Sequence, residues 1–458
     1  MKWFKRKKQK NRSADDGVAR DPVIIPRSEH GVSRSNIDEP ALKVLYRLHK
    51  AGYQACLVGG AVRDLMLGRH PKDFDVATDA TPEEVSKLFR NCRLIGRRFR
   101  LAHIHFGRQI IEVATFRAPH GELHEEHHDE SGRILRDNVY GEIHDDVWRR
   151  DFTANALYYN IADFSIIDYV GGAEDIANRR LRLIGDQETR YREDPVRMLR
   201  AIRFAAKLDF SIDENCKQAI LELGPLLDEI PSARLFEEVL KLFHSGHAEE
   251  SFHTLQEYGL LEYLFPDAIE ALRDDATAEF VRLAMQSTDD RVKLDKPVTP
   301  AFLFAALLWA PLRKQTQANV ESGMPYAVAL QKAATKLVSS QVRHVSIPKR
   351  FTTIMRDIWA LQSRFKNHSG RRAYAVLHHP KFRAAYDFLC LRANAGETEV
   401  DDCRWWTELQ EKNPEQQTKI ISAQQHAPRR HRSRPKRDQG GNPVSYTHLR
   451  AHETNCNI

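Results

Sequence analysis

The spacing of hydrophobic positions changes along the chain. Up to about Arg117, short apolar runs lie between turn residues and helix-like segments, which predicts mixed helices and strands. Residues 118–148 are irregular and rich in His, Glu, Asp and Gly. Beyond Asp186, apolar residues recur at helical spacing to about Lys412, and from Pro414 the chain becomes polar and basic. The pattern therefore predicts an α/β region followed by a long helical region.

Local signals place elements in the first region. A helix is predicted from Asp38 to a C-cap at Gly52, and a second in TPEEVSKLFR, where Thr81, Pro82 and Glu84 form a capping-box sequence. AVRDLMLG is predicted to be a short helix. Strands are predicted in YQACLVGG, DFDVATD, CRLIGRR, LAHIHFG and QIIEVATFR.

Positive charge is concentrated at the two ends of the chain. The formal net charge is +7, and residues 1–12 hold seven Lys or Arg with no acid. Such ends predict a polyanionic partner, nucleic acid first and anionic membrane second, although a solvated tail that aids solubility is the alternative. The basic residues near the C-terminus that we expect to contact RNA are Arg429, Arg430, Arg432, Arg434, Lys436 and Arg437.

The remaining composition excludes several classes. Six scattered cysteines without a CxxC pair predict neither a zinc ribbon nor a disulfide framework, which fits a reducing compartment. No apolar segment follows the basic N-terminus, and no apolar run would span a bilayer, so we expect a soluble cytoplasmic protein without a transmembrane segment. We interpret residues 120–130 as a solvated loop, and residues 440–458 as non-native sequence such as adapter read-through.

Two aspartates lie two residues apart in DFDVATD. Because strand side chains alternate between faces, Asp73 and Asp75 are predicted on one face, with Phe74 and Val76 facing the core. Carboxylates so close raise each other's pKa, and divalent cations would relieve the repulsion. Hard oxygen ligands suit Mg²⁺, and a pair of ions could activate a hydroxyl and hold a leaving phosphate. An exposed pair without chemistry is the alternative.

Gly59 and Gly60 precede the short helix AVRDLMLG. Without side chains they let the backbone approach a bulky anion, towards which a helix N-terminus directs N–H groups. A triphosphate would fit between this turn and the metals. An ordinary strand–turn–helix is the alternative, but Gly-Gly followed by the aspartate pair is more specific than either feature alone.

A two-metal site usually requires a third carboxylate, and the sequence offers two. Glu112 lies among apolar residues in QIIEVATFR, where an unpaired acid is costly, unless it is a surface acid on an edge strand. Asp151 follows Arg149 and Arg150, so it could instead cap a helix or pair with an arginine.

Four stretches in order resemble the class II nucleotidyltransferases of the DNA-polymerase-β-like superfamily: LVGGAVRDLMLGRHPKDFDV, RRDFTANALYYN, DYVGGAEDI and RYREDPVRMLRAIRFAAKL. This family holds bacterial poly(A) polymerases and CCA-adding tRNA nucleotidyltransferases. The resemblance implies an α/β head, an all-α neck and body, and Mg²⁺-dependent, template-independent addition of nucleotides to RNA 3′ ends. The expected division is a basic flexible arm over 1–36, the head over 37–187, a base- and RNA-binding neck over 188–275, an RNA-binding body over 276–415 and a basic disordered tail over 416–458.

The resemblance also assigns residues. Asp73 and Asp75 match the metal-binding pair, and Asp151 matches the acid of the RRDF motif. Glu193, Asp194 and Arg197 match the neck motif that reads the base. The catalytic set is thus Asp73, Asp75, Asp151 and Glu112, and the nucleotide-binding set is Gly59, Gly60, Arg63, Arg150, Glu193, Asp194 and Arg197.

The neck motif is chemically reasonable but does not identify the base. A carboxylate can accept from an exocyclic amine and an arginine can donate to a ring nitrogen. Asp194 and Arg197 are three residues apart, which places both on one helical face. Adenine and cytosine both offer an amine beside a ring acceptor, so the motif suits either enzyme. Asp194 before Pro195 is also a good N-cap.

We favour poly(A) addition for two reasons. LIGRRFRLAHIHFG resembles the poly(A) branch, and an arginine-rich end gives sequence-independent phosphate contacts with many transcripts. The expected substrates are ATP and the 3′ ends of mRNA and other transcripts. We expect a monomer that interacts with proteins of RNA decay. A CCA-adding enzyme and a catalytically silent RNA-binding protein are the alternatives.

Overall fold

The structure is a computed structural model that describes residues 21–96, 100–118 and 140–423. Four segments discussed above lie outside the described residues: residues 1–20 of the predicted arm, the histidine-rich residues 120–130, the arginine-rich residues 428–437, and residues 440–458, which we interpreted as non-native.

Ten strands lie within the described residues. They are β1 (Val23–Ile25), β2 (Ala55–Val58), β3 (Asp75–Thr78), β4 (Cys92–Ile95), β5 (Leu101–Phe106), β6 (Gln109–Thr115), β7 (Leu157–Asn160), β8 (Ile166–Asp168), β9 (Arg180–Leu181) and β10 (Ser211–Ile212). The first eight form one sheet in the order β1-β8-β7-β2-β3-β6-β5-β4, while β9 and β10 pair separately. Among the described strands of the large sheet only β3 and β6 run parallel, and this pair lies in its interior between β2 and β5.

Helices flank the sheet and, apart from the short β9–β10 pair, form the regular structure of the rest of the described chain. In the head they are α1 (Glu39–Lys50), α2 (Gly60–Met66), α3 (Pro82–Leu88), α4 (Ile143–Arg149) and α5 (Gly172–Ala177). Beyond it they are α6 (Gln187–Glu193), α7 (Val196–Leu208), α8 (Glu214–Leu223), α9 (Ser232–Phe243), α10 (Ala248–Glu257), α11 (Leu261–Leu264), α12 (Pro266–Ile269), α13 (Asp275–Lys293), α14 (Pro300–Leu307), α15 (Trp309–Glu321), α16 (Tyr326–His344), α17 (Lys349–Gln362), α18 (Gly370–Leu377), α19 (Phe382–Asn394), α20 (Val400–Gln410) and α21 (Pro414–Ala423). The predicted α/β head with an all-α neck and body is confirmed. None of the helices in the described ranges combines the length and apolar character needed to cross a bilayer.

The local signals in the first region act as predicted. In α3, the Thr81 N–H donates to Glu84 Oε2 at 2.7 Å and the Thr81 hydroxyl accepts from the Glu84 N–H, which completes the capping box. The chain after α1 turns at Gly52 with a φ of +92°, which glycine adopts without a steric penalty. All five strands predicted from the sequence are present.

One cluster of buried hydrophobic side chains connects the head, neck and body. It begins at Val32, includes Leu57 and Val76 of the sheet and Leu199 of α7, and reaches Phe388 in α19. A smaller cluster covers the opposite face of the sheet. Another lies beneath α18–α21, around Trp406. Burial against a common core thus fixes the neck helix relative to the sheet.

Two predictions about the ends of the regions are wrong. Residues 21–36 were expected to belong to a flexible arm, but β1 pairs with β8 and His30 is buried, its Nε2 2.9 Å from the Phe164 carbonyl oxygen. This short edge strand depends on pairing with a distant strand, which leaves no local pattern. Residues 416–423 were assigned to a disordered tail, but α21 continues to Ala423 and buries Ile421.

Two further features differ from expectation. Residues 143–149, within the stretch predicted to be irregular, form α4, which buries only Val147 and so lacks a clear apolar period. Cys390 in α19 and Cys403 in α20 form a disulfide, with their Cα atoms 5.2 Å apart. The sequence did not indicate this bridge, because the packing of α19 on α20 brings together cysteines whose sequence spacing gives no signal.

Candidate active site

Register places the glycine turn beside the aspartate pair. β2 and β3 are antiparallel with Val58 opposite Asp75, so β2 ends where β3 begins. Gly59 then adopts a φ of +67°, and a Cβ there would lie 3.5 Å from Arg150 Nη1. The space would admit a Cβ in ordinary contact, so it is the positive φ that favours glycine at this position.

A cleft of about 640 Å³ lies between the head and the neck. Most of the predicted site residues line it, namely Gly59, Gly60, Arg63, Asp73, Asp75, Arg150, Asp151, Asp194 and Arg197. Glu112 and Glu193 are not among the lining residues. The cleft residues that the sequence reasoning did not assign are Ala61, Asp64, Lys72, Arg149, Asn155, Arg200, Arg203, Phe204 and Lys207.

Asp73 and Asp75 are exposed to the cleft, whereas Phe74 and Val76 are buried, as alternation predicts. Only Asp75 belongs to the strand, because β3 begins there. The protein walls shield the Asp75 carboxylate from bulk water although it faces the cleft. This desolvation, together with the charges of Glu112 and Asp73, raises the pKa of Asp75 to about 6, and Arg150 offsets only part of the effect.

Glu112 lies beside Asp75 on the sheet. Val113 pairs with Val76, so the preceding residues of the two parallel strands are neighbours. On its other side Glu112 is opposite His103, whose Nε2 is 3.3 Å from Glu112 Oε1. Since β6 lies between β3 and β5, Glu112 is not on an edge strand.

The Asp151 carboxylate is almost fully engaged by protein groups. Oδ2 accepts from Arg200 Nε at 2.9 Å, and Oδ1 accepts from the Phe152 N–H at 2.8 Å and from Asn155. Burial alone would raise the pKa of Asp151, but the Arg200 charge and these hydrogen bonds outweigh it and lower the pKa. The arginine pairing considered from the sequence is thus present, and it joins the head to the neck.

Asp194 and Arg197 both reach the cleft, although not from one helix. Asp194 lies between α6 and α7, and its Oδ2 accepts from Arg234 Nη2 at 2.7 Å. Its Oδ1 accepts from the Val196 N–H at 3.3 Å, so it also caps α7 weakly. The prediction of a shared helical face is wrong because Pro195 begins a new helix.

Glu193 holds Arg197 in place. Its Oε2 accepts from Arg197 Nη1 at 2.9 Å and from Arg190 Nη1 at 2.7 Å. Arg197 Nη1 also donates to the Arg190 carbonyl at 2.6 Å. Glu193 is therefore placed to orient the arginine rather than to contact a base.

Two head arginines are fixed in the cleft wall. Arg63 is buried and donates through Nε to Asp64 Oδ1 at 2.9 Å and through Nη1 to Asn155 Oδ1 at 2.5 Å. Arg150 donates to the Tyr158 hydroxyl at 2.8 Å and to Asp146 Oδ2 at 2.9 Å. Their positive charges are therefore held rigidly beside the glycine turn.

One face of α7 carries cations that the sequence reasoning missed. Arg200, Arg203 and Lys207 follow Arg197 at helical spacing along the cleft. Burial lowers the pKa of Lys207, and within the described part of the chain its amine makes no ion pair. The spacing of these cations in RYREDPVRMLRAIRFAAKL was a signal that could have found them.

Three protein-family descriptions match the chain in order. "Poly A polymerase head domain" matches residues 55–182, "Probable RNA and SrmB-binding site of polymerase A" matches 209–272, and "Polymerase A arginine-rich C-terminus" matches 322–439.

Known relatives agree with these matches. The chain is 50% identical to poly(A) polymerase I of Salmonella typhimurium over 93% of this chain and 94% of the relative. It is 40% identical to the CCA-adding enzyme of Geobacillus sp., but over only 49% of this chain and 54% of that one. The crystal structure of the Bacillus stearothermophilus CCA-adding enzyme in complex with CTP superposes with a TM-score of 0.54 at 26% identity, covering 82% of each chain. Because the similarity to poly(A) polymerase I extends over nearly the whole of both sequences, the chain belongs to the bacterial poly(A) polymerase I family.

Proposed function

We propose that the chain is a polynucleotide adenylyltransferase that adds AMP from ATP to RNA 3′ ends without a template, in the polyadenylation and decay of mRNA and other transcripts. One observation carries the proposal: the cleft brings the Asp73–Asp75 pair, the Gly59 turn and the Asp194–Arg197 pair together. Family membership supports poly(A) addition over CCA addition, since the CCA-adding relative matches only half of the chain.

The aspartate pair fits a divalent cation. Burial first and the charges of Glu112 and Asp73 second raise the pKa of Asp75, and neither carboxylate of the pair has an ion-pair partner among the described residues. Across residues 21–96, 100–118 and 140–423, no three His, Cys, Asp or Glu side chains are grouped to hold a metal. Asp73 and Asp75 would therefore share Mg²⁺ with water and substrate phosphate oxygens, the coordination this ion prefers. Bound there, Mg²⁺ would polarise the RNA hydroxyl and neutralise the leaving group.

The transfer is a substitution at phosphorus. The RNA 3′ oxygen forms a bond to the α-phosphorus of ATP, the bond from that phosphorus to the bridging oxygen of the β-phosphate breaks, and pyrophosphate leaves. The hydroxyl proton passes to a carboxylate or to water. Gly59 leaves space for the phosphates, and Arg63 and Arg150 offset the negative charge of the phosphates because their own positions are fixed.

The neck supplies the base reader. Asp194 would accept from the adenine amine and Arg197 would donate to a ring nitrogen. Arg234 and Glu193 orient the two groups, so that the reader is arranged before ATP binds.

Glu112 is the better candidate for the third acid. Its charge acts on Asp75, whereas the Asp151 carboxylate is occupied by Arg200. His103 contacts the Glu112 carboxylate, but it holds this carboxylate less firmly than Arg200 holds that of Asp151, because a histidine ring is charged only when protonated.

Primer extension with ATP, with CTP and with Mg²⁺ tests the proposal. Wild type should extend with ATP far better than with CTP. Asp73→Ala or Asp75→Ala should retain RNA binding but lose on the order of 4 kcal/mol or more of transition-state stabilisation. The control is Asp267→Ala, an exposed acid outside the cleft. Near wild-type extension by either cleft variant would overturn the metal assignment, and preferential use of CTP would overturn the reaction.

A further inference from the structure

A basic surface surrounds α18, outside the cleft. Residues 358–386 contain no Asp or Glu. The α18 patch consists of Arg364, Lys366, Arg371, Arg372 and Lys381. All but the half-buried Lys381 are exposed, and none of the five side chains makes an ion pair or a hydrogen bond within the part of the chain that the structure describes.

The contrast with a neighbouring cation is direct. Arg383, in the same stretch, pairs with Asp387 at 3.0 Å. None of the five patch cations forms an ion pair with a carboxylate of the described residues, and the nearby Asp402 pairs with His368 instead, at 2.9 Å. This is the condition under which a polyanion binds most favourably.

Two of the patch arginines lie where a positive charge destabilises a helix. Arg371 and Arg372 occupy the first turn of α18, and no acidic residue shares that turn. The positive end of the helix dipole disfavours cations there. Helix formation therefore does not explain these arginines, whereas a phosphate bound from solvent would be attracted by both the arginines and the helix end.

Aromatic groups accompany the cations. Tyr374 follows Arg371 by three residues on the same face of α18 and is partly exposed. His368 stacks on Trp405 with ring centroids 4.3 Å apart, and both rings are partly exposed. Cations that contact the backbone, together with aromatic faces that stack on bases, are typical of sites for single-stranded nucleic acid.

The patch also lies on a helix that contacts the last described helix, α21. α18 packs against α21, where the described chain ends at Ala423, and the basic residues 428–437 follow in the sequence. Both helices belong to the hydrophobic cluster around Trp406, which contains no cleft residue.

We propose that the α18 patch binds the phosphate backbone of single-stranded RNA upstream of the 3′ end and thereby favours long primers. The inference rests on the proposed function only in taking RNA as the substrate. The segment that the family description connects with RNA, residues 209–272, does not include the patch.

The test compares Lys366→Ala/Arg371→Ala/Arg372→Ala with a matched triple variant, Lys43→Ala/Arg179→Ala/Lys314→Ala. The control residues are exposed cations that each pair with a carboxylate elsewhere on the surface. Binding is measured for oligoadenylates of increasing length over a range of salt concentrations. Wild type and the control should gain affinity with length, and the patch variant should lose most of that gain. Its log–log salt slope should flatten by about 2 units, from ~0.7 for each of three phosphate contacts.

Single-turnover addition to a primer too short to leave the cleft should be equal in all three proteins. Lys366→Arg/Arg371→Lys/Arg372→Lys, which keeps the charges, should retain the length effect, and equal melting temperatures exclude misfolding. Identical length dependence and salt slope in the patch variant would overturn the inference. Loss of binding to vesicles with anionic lipids, with RNA binding unchanged, would overturn it in favour of a membrane site. Failure of the proposed function is distinguishable, since wild type would then add no AMP whatever its affinity for RNA.

Discussion

Glu112 and Asp75 are neighbours on β6 and β3, which run parallel in the large sheet, and the charge of Glu112 helps to raise the pKa of Asp75. Their relationship follows from register, because Val113 lies opposite Val76. Asp151, the other candidate, faces Arg200 across the head–neck boundary. Glu112 and Asp151 are therefore expected to have different roles, and substituting each should change a different kinetic parameter.

Glu112→Gln should slow single-turnover AMP addition on bound primer by about 10²–10⁴-fold if the carboxylate takes part in proton transfer. Asp151→Asn should mainly raise the KM for ATP, because it releases Arg200 from its fixed position. Rapid-quench kinetics at saturating ATP separate the two outcomes. A Glu112→Gln rate close to wild type, with a large loss in Asp151→Asn, would reverse the assignment.

Arg197→Ala should reduce the preference for ATP over CTP at least tenfold, because a hydrogen bond to a charged group contributes roughly 1.5–3 kcal/mol. Arg234→Ala should act in the same direction but less strongly, since it frees Asp194 without removing a base contact. The control is Arg192→Ala, an exposed arginine of α6 that pairs with Glu188. Unchanged selectivity in Arg197→Ala would place the base reader elsewhere.

Asp151 should make the protein's stability depend on pH. Its pKa is lowered in the folded state, so its contribution is complete above the unfolded value of about 4 and is lost as the pH falls through the lower folded value. Asp151→Asn should therefore be less stable than wild type at neutral pH, by about 1.5–3 kcal/mol for the lost charged hydrogen bonds. The difference should shrink in acid. Urea unfolding across pH checks this, and a difference that does not change with pH would contradict it.

Truncation after Ala427 removes the six Arg and Lys residues of 428–437 and should weaken RNA binding. Six phosphate contacts would give a salt slope of about −4 at roughly −0.7 each, so we expect the slope to flatten by about 1–4 units. Addition to bound primer should persist, because the truncation removes none of the described residues that line the cleft. Truncation after Gln439 should change nothing. Equal salt slopes for both truncations and the full chain would show that the tail does not contact RNA.

The sequence predicts the centre of the head well because its elements are locally encoded. The capping box of Thr81 and Glu84 and the alternation around Phe74 need no information from distant residues. β1 and the disulfide between Cys390 and Cys403 were missed because both depend on tertiary packing.

In the candidate site, too, the residues in local motifs were predicted, whereas contacts made by tertiary packing were not. Asp75 and Gly59 were found from adjacent motifs, and β2–β3 pairing explains why they meet. The partner of Asp194 could not be found, because Arg234 lies 40 residues away on another helix. Lys207 could have been predicted from the sequence, since it continues the helical spacing of the α7 cations.

The buried cluster that runs without a break from Val32 to Phe388 has a consequence for cooperativity. A chain whose head, neck and body share apolar contacts should melt in one transition rather than domain by domain. The isolated head would expose the apolar surface that α7 now covers, so it should aggregate and not serve as a minimal catalytic fragment. A destabilising substitution in the body would therefore also lower the folded fraction of the head that carries the aspartate pair.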